Sequence, residues 1–290
     1  MGRRGRVQAD IVGHRRWLAG TRSAFLRRPH GAAPTGRPER RAHGKDDVMK
    51  QFITEDSFWQ LFPDAAIGIV VAEGMKPADE VPAEDAAEIE RLLDRANVLA
   101  ERHITSNTIS ENAPVKAWRE AYRKFKTKKG ARCSIENLLK RVLKGNPVGH
   151  ITPSVDIYNA ISLKYALPVG GEDIDAFEGD LRLGITEGGD AFLPLGENEH
   201  DDPTLPGELC YRDDAGAVCR CWNWRDGVRT ALTDTSKNAF LIIECVEPER
   251  VEDCQAAIDE LASLVERYLG ATITVKELIT SDARSAVISA

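Results

Sequence analysis

No apolar run in the sequence approaches the roughly 18 residues that a membrane-crossing helix needs, and no Walker or Rossmann glycine pattern follows a strand. The first absence makes a soluble chain with no membrane partner the expectation. The second removes the commonest phosphate and dinucleotide sites. Histidine is scarce, with 6 in 290 residues. His103, His150 and His200 are scattered, and no local signature ties any of them to a Ser or Cys nucleophile. Six cysteines without a secretion signal point to a reducing, cytoplasmic compartment. None has a His or a fourth Cys at zinc-finger spacing, so neither metal nor cofactor is expected. Cys219 and Cys221 share one face of an expected strand, and its hairpin puts Cys210 opposite Cys219. A three-thiolate site or a redox pair stays open there, beside the simpler reading of small buried thiols. No internal repeat is visible.

What is present divides by charge. Residues 1–48 hold 12 basic and 4 acidic side chains, a net of +8, in a Gly-, Ala- and Pro-rich stretch without periodicity. Such a leader reads as disordered. A transit peptide, a basic RNA-binding arm, or an over-extended start with Met49 as initiator would each account for it. Residues 49–290 carry 27 basic and 42 acidic side chains, a net of −15. That body would repel nucleic acid unless its positive charge were gathered in one place. It is gathered: 11 Lys and Arg fall between Lys116 and Lys144, against Glu120 and Glu136.

Strands are expected at Ala65–Ala72, Leu181–Ile185, Ala191–Leu195, Glu208–Arg212, Ala217–Trp224 and Asn238–Val246, with a short one at Thr272–Val275. Helices are expected at Glu84–His103, Pro114–Phe125, from Ser134 to about Leu143, and at Glu249–Leu269. Short strands in clusters with flanking helices argue an α+β fold. In the helix from Pro114, Val115, Trp118, Tyr122 and Phe125 make the apolar stripe. Lys116, Arg119, Arg123 and Lys126 run beside it, extended by Lys124, Lys128 and Lys129. A basic stripe next to a core stripe suits phosphate contact, and an ordinary solvated helix face is the alternative.

Two further stretches draw notice. A helix from Ser154, stopped by Pro168, Gly170 and Gly171, carries Asn159 beside its apolar stripe. Asn competes for the backbone inside helices and needs partners when buried, so it faces an internal cavity or holds a neighbouring loop. The loop Trp222-Asn223-Trp224-Arg225-Asp226-Gly227 sets two indoles, an amide and two charges side by side. Such a loop can stack and hydrogen-bond a base or bind an amino acid. It can equally be two core Trp followed by a turn.

VDIYNAISL followed by LPVGGEDIDAF resembles the helix and turn that open the B3/B4 domain of the bacterial phenylalanyl-tRNA synthetase β subunit, and CWNWRDGVRTALTDTSKNAFLIIECV resembles that domain's second block. The likeness covers about Asn146 to Lys276, without the synthetase catalytic core, so no aminoacylation is expected. It implies a free-standing domain of short strands packed with helices at 146–280. Before this come the leader and a helix-and-strand part at 49–145, and a tail at 281–290 follows. It implies tRNA as partner, an aminoacyl group as substrate or ligand, and hydrolysis of misacylated tRNA. The matching candidates for catalysis are Asn159, Asn223, Asp226, Thr233, Thr235 and Glu244, with Trp222, Trp224 and Arg225 in the pocket. One departure is that the editing domains carry an acidic residue just after a Gly pair, whereas this chain has Asp226-Gly227-Val228. The alternative is an amino-acid or small-molecule binding module on the same fold, without RNA.

Overall fold

The apolar stretches from Ala66 and Ala239 show no alternation, the pattern of strands covered on both faces. They are the two central strands of a four-stranded sheet in the computed structural model, which describes residues 49–196 and 200–289. In chain order the elements are β1 (Lys50–Thr54), α1 (Asp56–Leu61), β2 (Ala66–Glu73), α2 (Ala83–Leu99), α3 (Ala113–Ala121), α4 (Ser134–Leu143), α5 (Pro153–Tyr165), β3 (Val169–Asp173), β4 (Leu181–Ile185), β5 (Leu209–Asp213), β6 (Gly216–Arg220), β7 (Arg225–Asp226), β8 (Ala239–Cys245), α6 (Val251–Leu269), β9 (Thr272–Ile279) and β10 (Ser285–Ser289). The fold is α+β.

One sheet has the order β3-β8-β2-β9, antiparallel throughout. The other has the order β10-β1-β4-β5-β6-β7, with β1 and β4 parallel. Helices α5 and α6 cover one face of the first sheet, where Val70 and Leu241 meet Ile258, Leu261 and Val265. The approach is close. A Cβ on Gly68 of β2 would lie 2.3 Å from Cγ1 of Ile258. The other face meets the six-stranded sheet across Phe52, Leu181, Tyr211, Val218, Phe240 and Ile242. The Phe52 and Phe240 rings, one from each sheet, have centroids 5.2 Å apart.

Helix α5 starts where Thr152 accepts a hydrogen bond from the Val155 amide and Pro153 sets the first turn. It ends at Ala166 in the left-handed region, φ 49°, two residues before Pro168. Strand β3 then runs beside β8 and brings Gly170, Gly171 and Glu172 against its centre.

Several expectations change. Residues 191–195 form no strand; a single bridge joins Pro194 to Gly227. The strand expected at Ala217–Trp224 stops at Arg220 and doubles back. Tyr211, not Cys210, lies opposite Cys219, and Cys210 faces Gly184. The helix expected at Pro114–Phe125 ends at Ala121. The divisions expected at 145/146 and 280/281 do not separate structural bodies. Strand β2 pairs with β8, β1 with β4, and the expected tail contains β10, which pairs with β1. Composition does not reveal such long-range pairing. The basic leader, residues 1–48, lies outside the described residues. Among the described residues no helix is long and apolar enough to cross a membrane.

Candidate functional site

The site is built on the reversal after β6. Cys221 and Trp222 both take left-handed backbone, φ 46° and 65°. For residues other than glycine this costs on the order of 1–3 kcal/mol each and persists only where the surroundings hold it. Here they do. Arg220 is fully buried and donates to both oxygens of Glu208, at 2.7 and 3.1 Å, and to the Asp202 carbonyl at 2.6 Å. The Cys221 thiol donates to Glu208 at 3.0 Å. The Trp222 amide donates to the Leu209 carbonyl at 2.6 Å. Its indole sits among Phe58, Phe62 and Trp118, with centroids 4.7 to 5.4 Å away.

This turn forms one wall of a cavity of about 90 Å³ between the two sheets. That volume admits several waters or a small organic group. Strand β3 contributes Gly170 and Glu172, β8 contributes Phe240, Ile242 and Glu244, and β5 contributes Tyr211. Val218, Cys219, Trp222, Asn223, Trp224 and Asp226 come from β6 to β7, and Val169, Gly171, Leu181 and Ser134 complete the lining. Glu244 accepts from the Tyr211 hydroxyl at 2.7 Å and from the Asn223 amide at 2.8 Å. The Tyr122 hydroxyl donates to the Asn223 carbonyl oxygen at 2.8 Å, which fixes the orientation of that amide.

Burial pushes the Glu244 carboxyl up to about 7; the hydrogen bonds from Tyr211 and Asn223 oppose the shift, and the charge of Asp226 adds to it. Burial, then Asp226, raises Glu172 well above the carboxylate range. Burial also raises Asp226, against a hydrogen bond from the Cys219 thiol. Among the described residues no Lys, Arg or His lines the cavity. Three polar atoms on its wall make no hydrogen bond of good geometry: Glu172 Oε2, Trp222 Nε1 and Ser134 Oγ, although the Thr230 hydroxyl acts on Glu172 and the Trp222 indole on Glu244. A buried polar group left unmet costs about 1–3 kcal/mol, so these atoms favour a polar ligand group in the cavity. A carboxyl that titrates near neutrality can take and return a proton there.

The residues singled out from sequence fall into three groups. Asn223, Asp226, Glu244, Trp222 and Trp224 line the cavity, and Arg225 lies over the Trp224 ring at 5.2 Å. Asn159 is buried on α5 and is not part of the lining. Thr233 and Thr235 are also outside it, on the loop before β8, their hydroxyls 3.2 Å apart. Thr233 is tied to Ser236, which donates to Asp173 at 2.6 Å. Sequence reasoning passed over Glu172, Tyr211, Tyr122 and Ser134. An acid in the apolar run before Asp173 was a signal for the first; the others reach the site only through tertiary packing.

The basic residues are partly neutralised. Arg119 pairs with Glu136 at 2.6 Å, Arg123 with Glu120 at 2.7 Å, and Lys128 with Asp202. Lys124 donates to the Leu61 carbonyl at 3.0 Å. Lys116, Lys126 and Lys129 are exposed and make no ion pair among the described residues. All six cysteines are free and buried, and burial raises the Cys221 thiol to about 12. Among the described residues no group of three His, Cys, Asp or Glu side chains is placed to hold a metal ion.

Two sheets closing on a small acid-walled cavity, with helices on one outer face, define an α+β domain able to enclose a ligand group. Residues 117–274, more than half of the chain, match the B3/4 domain family, and the chain belongs to that family. No curated protein matches it. Among solved structures, an N-terminal fragment of the phenylalanyl-tRNA synthetase β-subunit from Pyrococcus horikoshii is similar at 13% identity and a TM-score of 0.40. The alignment covers 79% of this chain and 52% of that one, so the chain spans about half the length of the fragment.

Proposed function

We propose that the protein binds tRNA in the cytoplasm and hydrolyses a wrongly attached aminoacyl group held in the cavity. The supporting observation is Glu244, a buried carboxyl set between two donors, Tyr211 and Asn223, and titrating at about 7. An aminoacyl ester is activated, so a positioned water, a base near neutrality and donors for the developing oxyanion suffice. Glu244 is the base. Ser134 Oγ, which has no hydrogen-bond partner, and Trp222 Nε1, which acts on Glu244 and Tyr211, are the donors. Asn223 and Tyr211 orient the carboxyl. Lys116, Lys126 and Lys129 meet the phosphates. The resemblance of the two sequence blocks to a synthetase editing domain supports the same reading.

The test is deacylation of mischarged tRNA, with tyrosine on phenylalanine tRNA tried first. Wild type is expected to deacylate. Glu244→Gln is expected to be slower by at least about tenfold, roughly 1.4 kcal/mol of barrier. Clearance of no mischarged tRNA by wild type would sink the enzyme reading. A second reading, an amino-acid binding module without RNA, is favoured by the ion pairs that occupy Arg119, Arg123 and Lys128. A gel shift with total tRNA at low and high salt separates the two.

A further inference from the structure

We propose that the cavity is an ammonium site, in which the protonated amine of the ligand sits between Glu172 of β3 and Asp226 of β7 with the adjoining apolar group against Phe240, Leu181 and Val218. This rests on reading the cavity as the ligand site and names what it selects.

Glu172 carries the argument. It is 6% exposed, it lines the cavity, and its Oε2 has no hydrogen-bond partner. The Thr230 hydroxyl lies close enough to lower the Glu172 titration, but it makes no hydrogen bond of good geometry either. A buried acceptor without a donor is costly unless something arrives to donate. Asp226 approaches from the other sheet, and its charge is felt by both Glu172 and Glu244. Arg229, whose charge lowers the Glu172 titration, already pairs with Asp213 at 2.6 Å. Among the described residues the lining therefore carries acids and no cation, and Arg229 acts on Glu172 only from outside it. The three carboxyls are not grouped as metal ligands. They belong to different strands on different sides of the cavity, an arrangement that suits one cation with several hydrogen-bond donors. A primary ammonium has three such donors. The aromatic walls add a favourable face for a cation.

Burial raises all three carboxyls, and the charge of Asp226 adds to the shift of Glu172 and Glu244, so the site holds protons. Binding a cation displaces one: the ammonium enters charged, a neutral carboxyl becomes a carboxylate, and a proton leaves to solvent. Besides these acids, the titratable groups facing the space are Tyr211 and Cys219, both raised by burial and neutral at working pH. Affinity for an amine therefore rises with pH through the neutral range, where a benzylic amine is still charged.

The experiment uses the full chain and three small probes of similar shape, benzylamine, benzyl alcohol and benzoate, with binding followed by calorimetry or ligand-observed NMR. Benzylamine is expected to bind at least about tenfold more tightly than benzyl alcohol, to weaken as pH falls, and to exclude benzoate. Glu172→Gln and Asp226→Asn are each expected to erase the preference for amine over alcohol while leaving alcohol binding in place. Two variants are used so that a loss of folding in one, read from its melting temperature, leaves the other as the test. No benzylamine binding, equal binding of the alcohol, or a preference that survives both substitutions would overturn the proposal. Deacylation without amine preference sinks this inference alone; amine preference without deacylation leaves it standing and removes the hydrolase.

Discussion

The Asn223 amide donates to Glu244 across 2.8 Å while its carbonyl oxygen accepts from Tyr122, also at 2.8 Å. Asn223 thus joins a central strand of one sheet to the residue that caps helix α3 through a turn of the other sheet. The bond does two things. It holds the Glu244 carboxyl in one rotamer, and it stabilises the charged form, keeping its titration near neutrality against the pull of burial.

The first prediction concerns stability and pH. Glu244 has its folded-state titration raised from 4.5 to about 7. The folded state therefore binds the proton more tightly than the unfolded one. The stabilisation is fully present below about pH 4.5 and is lost as pH rises to about 7. At 1.36 kcal/mol per unit the loss is about 3 kcal/mol. Glu172 and Asp226 are shifted in the same direction and add to it. Urea unfolding at intervals from mildly acidic to mildly alkaline pH should show wild type weakening across that window. Glu244→Gln should flatten the slope. A wild type whose stability rises over the same range would show that the carboxyl is not buried in this way.

How much of this was legible in the sequence depends on the reach of the interactions. The apolar runs of β2 and β8, the amphipathic α6 and the hairpin of β5 and β6 were visible because period and turn residues are local. The cavity was half visible: Asn223, Asp226 and Glu244 lie in two neighbouring stretches, whereas Glu172 and Tyr211 come from other strands. The turn at Cys221–Trp222 was read as strand because β-branched and aromatic residues surround it. The buried Arg220–Glu208 pair that holds its left-handed backbone joins residues 12 apart in sequence and leaves no periodic trace. Asn159 was singled out for being polar beside a core stripe, and polarity alone does not say which side of a sheet a helix covers.

The second prediction concerns the basic face. A cation already paired gives up that pair when it meets a phosphate, so Arg119, Arg123 and Lys128 have less to gain than the unpaired Lys116, Lys126 and Lys129. Replacing the latter three with Ala should weaken tRNA binding and reduce the salt slope by about 1 per lost contact. Replacing the former three should have the smaller effect on affinity. Stability should change little for Lys116, Lys126 and Lys129, which are exposed. Filter binding over a salt series measures both. Equal effects of the two triple variants would mean that pairing does not rank these residues, and no effect of either would move the RNA elsewhere.

The last prediction uses two adjacent glycines as a control for each other. Both line the cavity, but a Cβ built on Gly170 meets only Ile242 Cγ2, at an ordinary 3.8 Å. Gly171 points the other way along the pleat; a Cβ there would lie 2.7 Å from Leu241 and 2.8 Å from Leu232. Neither needs a left-handed backbone. Gly170→Val should therefore fill the cavity at little cost to folding, helped by the higher strand propensity of Val and the stiffer unfolded chain. Gly171→Ala should overpack the face under α5 and cost about 1–3 kcal/mol, a fall of roughly 2–4 °C in melting temperature per kcal/mol for a domain of this size. Ligand binding should show the opposite pattern: lost in Gly170→Val, where the space is occupied, and retained in Gly171→Ala below its melting temperature. A Gly170→Val protein that melts normally and still binds or deacylates as wild type would place the functional site outside this cavity.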